Sequence, residues 1–456
     1  KRLFSSQLRI NMASGVATTA VNTVVMAVGY PLYLHFLGYE KYGVWLVLAT
    51  VLTFAQLGNL GIGPAVMKLV AEDHGRNDTA GIQRYVTTAL ALICLSGTLV
   101  LAVILLFKRQ IIGLFGLADE NARLALWLLP YIGILSIYVF IVQVFEAALS
   151  GLGRMDLANY RGVLARVTNL SVSALLLLLG FGVGSLLVGR LTAEVVTHLA
   201  MFACIRRIAP IRILRADGLD MARAKRLLHF GGAIFGGSLL STLFSPLNKL
   251  LLSRYAGVAA VPVYEIALTG SMQVGSLVGA GHRALVPEIS RVAAEMTAQA
   301  KNRISQLYRR SLKLIVLVAV PVFAGLALFA PVLLKLWLGD GFVDALPGAF
   351  RIMLLGAFVS VIGVPAYYVL MGMGHVRYNL FSQIALTITN TAMILCVIVF
   401  SQVTSVSAAW VSSIAMATST MYLIWRKSYI LDRSDISLPV TKHESVLDIH
   451  LPDVTR

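Results

Sequence analysis

The chain has 456 residues, 58% of them hydrophobic and only 13% charged, with a mean hydropathy of +0.82. A soluble protein would be near 25% charged, so a soluble enzyme is excluded, and a β-barrel with it, because barrel strands are short and alternating. The net charge of +17 would point a soluble domain to nucleic acid; in a membrane protein it points to cytoplasmic loops and anionic headgroups, so no nucleic-acid partner is expected.

Apolar runs of roughly 20 residues recur, each long enough to cross a bilayer as a helix. Lys1, Arg2 and Arg9 precede the first, which runs to about Leu37 with no cleavage pattern. That is too long for a signal-peptide core, so a retained first helix is expected; a first residue other than Met predicts that a few initial residues are missing. Twelve spans are predicted, at 9–37, 42–71, 82–107, 122–150, 158–181, 185–206, 229–256, 259–283, 311–337, 347–371, 379–401 and 404–426. An even number places both termini on one side. Most of the 38 Lys and Arg then fall on that side, which predicts cytoplasmic termini in a multi-pass membrane protein. The expected division is 1–206 as a first six-helix bundle, 207–228 as a basic cytoplasmic linker, 229–426 as a second bundle and 427–456 as a cytoplasmic tail. The basic stretches 207–228 and 284–310 are partly helical in pattern and are expected to lie on the membrane surface. Cys94, Cys204 and Cys396 sit in apolar segments; they form neither a disulfide framework nor a zinc site and are expected to pack.

The two halves repeat. Gly38 is followed seven residues later by Trp45, and Gly257 seven later by Tyr264. Gly151-Leu152-Gly153-Arg154 matches Gly372-Met373-Gly374-His375. Copies of six spans each run parallel, an arrangement typical of transporters with the substrate between the halves. The fold class expected is therefore an all-α integral membrane protein of about twelve transmembrane helices in two parallel six-helix repeats.

Polar residues inside the spans are the candidates for function. Asn11, Ser14, Thr18 and Asn22 share a face of the first span, where Tyr30-Pro31 predicts a kink. Ser238, Ser241, Ser245, Asn248 and Lys249 form a stripe in the seventh, and Asn59 and Gln273 extend the expected polar lining. These residues either line a hydrated cavity or bond back to their own and neighbouring helices. Charges are costlier, roughly 2.5–3.5 kcal/mol at the bilayer centre. Arg190, Glu194 and His198 lie one turn apart in the sixth span, as an ion pair or as a proton-responsive relay. Glu146 shares a face with Gln143 and Ser150, Arg166 with Asn169 and Ser173, and Glu265 with Thr269 and Gln273. Lys249, Arg166, Arg190, Arg254 and Arg283 could form a cationic cavity suited to phosphate or pyrophosphate; snorkelling explains Arg254 and Arg283 better, because they stand near span ends. No catalytic constellation, phosphate-cradling loop or metal-spaced histidine pair is present, so neither an enzyme nor a metal or other cofactor is expected. The glycines of 57–64 are expected to permit close packing and a bend within the second span.

Pro31-Leu32-Tyr33-Leu34, Leu37-Gly38, Glu40, Tyr42-Gly43 and Trp45 resemble the first hairpin of the bacterial polysaccharide-repeat-unit (Wzx-type) flippases. Leu60-Gly61-Ile62-Gly63 with Lys68 and Ala71-Glu72, and the Gly151–Arg154 turn, are similar too. These flippases belong to the multidrug/oligosaccharidyl-lipid/polysaccharide exporter superfamily, and the likeness covers about residues 1–426. It implies two bundles forming a V around a central cavity. It implies transfer of an undecaprenyl-pyrophosphate-linked oligosaccharide, as in O-antigen or exopolysaccharide synthesis, from the inner to the outer leaflet of the bacterial inner membrane by alternating access. It also implies a coupling H+ or Na+, and polysaccharide polymerase or assembly partners beside the membrane lipids. Asn59 departs from the pattern, standing where related sequences often carry Asp. An amide cannot titrate, which leaves Glu146, Glu194, His198 and Glu265 as ion-coupling candidates. The rivals are a multidrug or metabolite exporter of the same superfamily, its peptidoglycan-precursor branch, and a membrane glycan polymerase or ligase; the last wants a large outer loop that this chain lacks.

Overall fold

The computed structural model describes residues 6–208, 220–279, 282, 285–295 and 297–432. Among them are fourteen α-helices: α1 (Ser6–Ala55), α2 (Ile62–Gly75), α3 (Thr79–Leu106), α4 (Lys108–Leu114), α5 (Asp119–Gly151), α6 (Met155–Leu178), α7 (Gly184–Ile208), α8 (Met221–Tyr255), α9 (Ala260–Gly279), α10 (Leu285–Ala293), α11 (Ala298–Leu338), α12 (Ala345–Gly372), α13 (Val376–Phe400) and α14 (Ser405–Asp432). Eight stretches are long and apolar enough by themselves to cross a membrane. α8, α9 and α14 are more polar and run alongside them, as Arg223, Arg226 and His229 in α8 and Glu265 and Gln273 in α9 show. Helices dominate because a segment in lipid must satisfy its own backbone hydrogen bonds.

The break in α1 falls at Gly38, whose φ of 63° and ψ of 179° divide the helix into two arms, while Pro31 stays inside the first. The break falls between the first two expected spans, 9–37 and 42–71, at a residue type that alone takes this backbone freely, and the helix runs on through the expected kink at Tyr30-Pro31. The second span is also not continuous. A 3-10 turn at Gln56–Asn59 leads through left-handed Leu60 and Gly61 into α2. Gly61 lies directly against the Gly231 backbone, so a close crossing with α8 sets this break.

The turns that the sequence pairs are built alike. Arg154 N–H donates to Leu149 O at 3.0 Å and His375 N–H to Leu370 O at 2.8 Å. Gly153 and Gly374 have φ of 79° and 80°. The packing repeats as well: α3–α5, α5–α7, α6–α7 and α1–α6 in the first half recur as α11–α12, α12–α14, α13–α14 and α8–α13 in the second.

The core shows the overall shape. At the Gly38 end one buried cluster joins both halves, from Tyr30, Val47 and Leu129 to Leu252, Tyr264, Met353 and Ile394. At the opposite end the core forks into two separate clusters. One is built on α2, α3 and α5, with Ile62, Tyr85, Phe140 and Leu149; the other on α10, α11 and α12, with Ile289, Tyr308 and Leu370. The molecule is therefore a V, joined at the Gly38 end and open at the Gly151 end. α8 begins at Met221, eight residues before the expected span, and its first turns bury Leu227 in the first half's cluster. Part of the linker expected at 207–228 is thus helical, and 209–219 lies outside the described residues, as does the tail from 433. Cys94 and Cys396 are exposed rather than packed in the core.

Candidate substrate pathway and its charged residues

The densest group of intramembrane charge is in the first half, where α5, α6 and α7 meet. Arg161 on α6 reaches Glu146 on α5 at 3.2 Å and also donates to Glu194 on α7. Glu194 is held a second time by Arg190 one turn away, at 2.8 Å. Its side chain is 1% exposed, so two guanidiniums replace its water. Arg166 lies beside this group, with Arg161, Arg190 and Glu146 as its charged neighbours. One of its terminal nitrogens is buried and has no hydrogen-bond partner. Three arginines thus face two carboxylates.

The local sequence explains the placement. On α6 the exposed apolar residues Tyr160, Leu164, Val167, Leu175 and Leu178 fall on one stripe, the lipid side. Arg166 sits on the opposite side, near Gly162 and Thr18 of α1. On α7 the exposed stripe is Val188, Leu191, Val195 and Leu199, away from Glu194. Arg161 was not among the residues singled out from sequence. Its signal is its place opposite Glu146 across the tight Gly151–Arg154 turn.

A second group closes the joined end. Lys249 on α8 pairs with Glu265 on α9 at 2.8 Å, the side chains 13% and 16% exposed. Asn22 on α1 donates to Gln273 on α9 at 3.4 Å, and Gln273 returns a bond to Thr23 at 2.6 Å. These bonds tie the first helix of one half to the second half.

Several expected site residues lie elsewhere or differ in role. Asn248 is fully buried, donating to Tyr264, Asn390 and Ser412 at 2.7–3.0 Å, so it braces the second bundle instead of lining a cavity. Arg254 is exposed at the joined end and donates to the Gly113 and Leu114 carbonyls of α4. Asn59 donates to Gln143 and is half-buried. Thr18 bonds back to Ser14 O at 2.8 Å, as a hydroxyl in a helix commonly does. His198 bonds Tyr138 Oη at 2.7 Å and stacks on Phe145, so its ring is engaged by α5. Ser245 is half-buried. Arg283 and the side chains of Asn11, Ser238 and Ser241 lie outside what the structure describes. Among the described residues no cluster of His, Cys, Asp or Glu could hold a metal.

A family model described as polysaccharide biosynthesis protein matches residues 35–347. A Shigella flexneri protein named as a candidate O-antigen transporter is 20% identical over 346 residues, covering 74% of this chain and 78% of that one. The fold matches an inward-facing multidrug-resistance MATE family transporter of the MOP superfamily, with a TM-score of 0.73, 18% identity, and 95% and 97% of the two chains covered. It matches the lipid II flippase MurJ in an inward closed conformation equally well, at 0.73 with 13% identity, covering 90% and 87%.

Proposed function

The chain belongs to the polysaccharide biosynthesis protein family, and from that premise we propose that it flips an undecaprenyl-pyrophosphate-linked oligosaccharide repeat unit from the cytoplasmic to the periplasmic leaflet. Its membership and its V-shaped helical fold make it a membrane transporter of the flippase and exporter kind. The observation that carries the finer reading is Arg166: a guanidinium with an unpartnered nitrogen, in a group where three arginines face two carboxylates. A pyrophosphate supplies the missing negative charge and accepts paired N–H bonds. The polyprenyl tail stays in lipid while the headgroup crosses, so no charge meets hydrocarbon.

In this reading the open end faces the cytoplasm, where the positive charge concentrates. The units 1–206 and 229–426 rock about the joined end, connected through 207–228. A proton or sodium gradient drives the cycle, and a polysaccharide polymerase takes the delivered unit. The same positive excess disfavours the rival reading, export of organic cations. The test is binding of a polyprenyl pyrophosphate to the purified protein. Arg166→Gln weakens it without lowering the unfolding temperature; unchanged affinity in that variant overturns the assignment.

A further inference from the structure

The turns Gly151–Arg154 and Gly372–His375 are hydrogen-bonded alike, yet the helices they start differ in charge. At the start of α6, Arg154 Nε and Nη2 donate to Asp156 Oδ1 and Oδ2 at 3.0 and 2.9 Å. A carboxylate thus stands where the helix dipole favours negative charge. In α13 the matching position, two after the turn, is Arg377, the first turn holds no acid, and the cap residue His375 makes no side-chain cap bond. Positive charge then accumulates around one ring. The Arg377 guanidinium lies 5.0 Å from the Tyr378 ring centre and that of Arg426 on α14 lies 4.8 Å from it. Arg426 also lies 4.7 Å from the Trp425 ring and 5.4 Å from that of Tyr429, and Lys427 sits 3.8 Å over Tyr308 of α11. His375 completes the group at 5.8 Å from Tyr378.

Arg377 also donates to Tyr378 Oη at 3.1 Å and Arg426 bonds Tyr422, but two nitrogens of the group remain open. Arg426 Nε and His375 Nε2 are buried without a partner. Among the described residues Arg377 and Arg426 form no ion pair with a carboxylate. Trp425 is 56% exposed at the last turns of a bundle helix, and Tyr429 is exposed one turn on. An exposed Trp and Tyr beside Arg mark the depth of lipid headgroups.

We propose that the start of α13 and the end of α14 form a binding site for the phosphate of an anionic phospholipid headgroup, held by Arg377, Arg426 and His375. The bound phosphate supplies to the second half the negative charge that Asp156 supplies to the first. The site is separate from the arginines of α6 and α7, and it stands whatever substrate the protein moves.

The test is native mass spectrometry of the full chain titrated with phosphatidylglycerol, phosphatidylcholine and inorganic phosphate. Wild type binds phosphatidylglycerol saturably and the other two weakly. The double variant Arg377→Gln, Arg426→Gln raises that Kd about thirtyfold, from the contribution of two basic residues at an anionic surface. Arg377→Asp, which copies the charge of the first half, abolishes binding while the protein keeps its elution profile. Lys108→Gln, exposed at the start of α4 at the joined end, leaves the Kd unchanged. An unaltered Kd in the double variant overturns the site, as does an equal loss in Lys108→Gln. Equal binding of phosphatidylcholine, or binding of inorganic phosphate without the lipid, does the same.

Discussion

Arg161 on α6 and Glu194 on α7 are bound to each other inside the first bundle, the carboxylate almost wholly shielded from solvent. Removing one partner of a buried pair costs about 3–5 kcal/mol when the other is left uncompensated; Arg190 still pairs with Glu194, so the loss in an Arg161 variant is smaller than that. Arg161→Leu therefore lowers the unfolding temperature and the yield of monodisperse protein. Arg166→Gln does not, because its free nitrogen makes no bond to lose. Thermal unfolding of both variants in detergent, followed by size-exclusion chromatography, checks the contrast.

Lys249 and Glu265 are expected to act as a compensated pair. Lys249→Ala strands the carboxylate and destabilises the protein; the neutral double variant Lys249→Met, Glu265→Gln recovers most of the loss, as buried pairs replaced by neutral groups commonly do. A double-mutant cycle on unfolding temperature reads this. Additive losses would show that the 2.8 Å contact carries no coupling.

Gly61 combines a φ of 71° with direct contact to the Gly231 backbone. Gly61→Ala pays roughly 1–2 kcal/mol for the left-handed backbone alone and pushes α8 off α2. Cysteine pairs placed across this crossing should cross-link less efficiently in the variant than in the parent.

The start of α8 is tied to the first half by Arg223, which reaches Asp73 and Asp220 at 3.2 Å each, and by Arg226 to Glu72 at 2.9 Å. The Arg223 and Ala222 backbone N–H groups hold the Asp220 carboxyl below its ordinary range. A carboxylate depressed in the folded state contributes stability above its unfolded pKa and loses it as pH falls through the folded one. The stability difference between wild type and Asp220→Ala is therefore constant from neutral pH down to about 4 and shrinks only below that. Unfolding temperature against pH for the two proteins measures it.

Much of this architecture is legible from residues that act locally. Gly38, Gly153 and Gly374 mark their turns because only glycine takes those backbone angles freely, and the paired turns expose the repeat. Glu194 and Arg190 are one helical turn apart, so their pairing follows from spacing. What spacing cannot give is the third dimension. Arg161 looks like a headgroup charge near a span end until α7 packs beside it and brings Glu194 within reach. Asn248 looks like the wall of a cavity on its own helix, but Tyr264, Asn390 and Ser412 arrive from three other helices and bury it. The break at Leu60-Gly61 depends on a contact with Gly231, distant in sequence and close only in the fold.

We propose movement of a lipid-linked anion past the arginines of α6 and α7. The most direct measurement is leaflet-resolved transport in proteoliposomes holding a labelled polyprenyl-pyrophosphate oligosaccharide, with and without a proton or sodium gradient, beside a cationic dye. The account predicts gradient-dependent flipping of the lipid, strongly reduced in Arg166→Gln, with no transport of the dye. Dye export without lipid movement would contradict it.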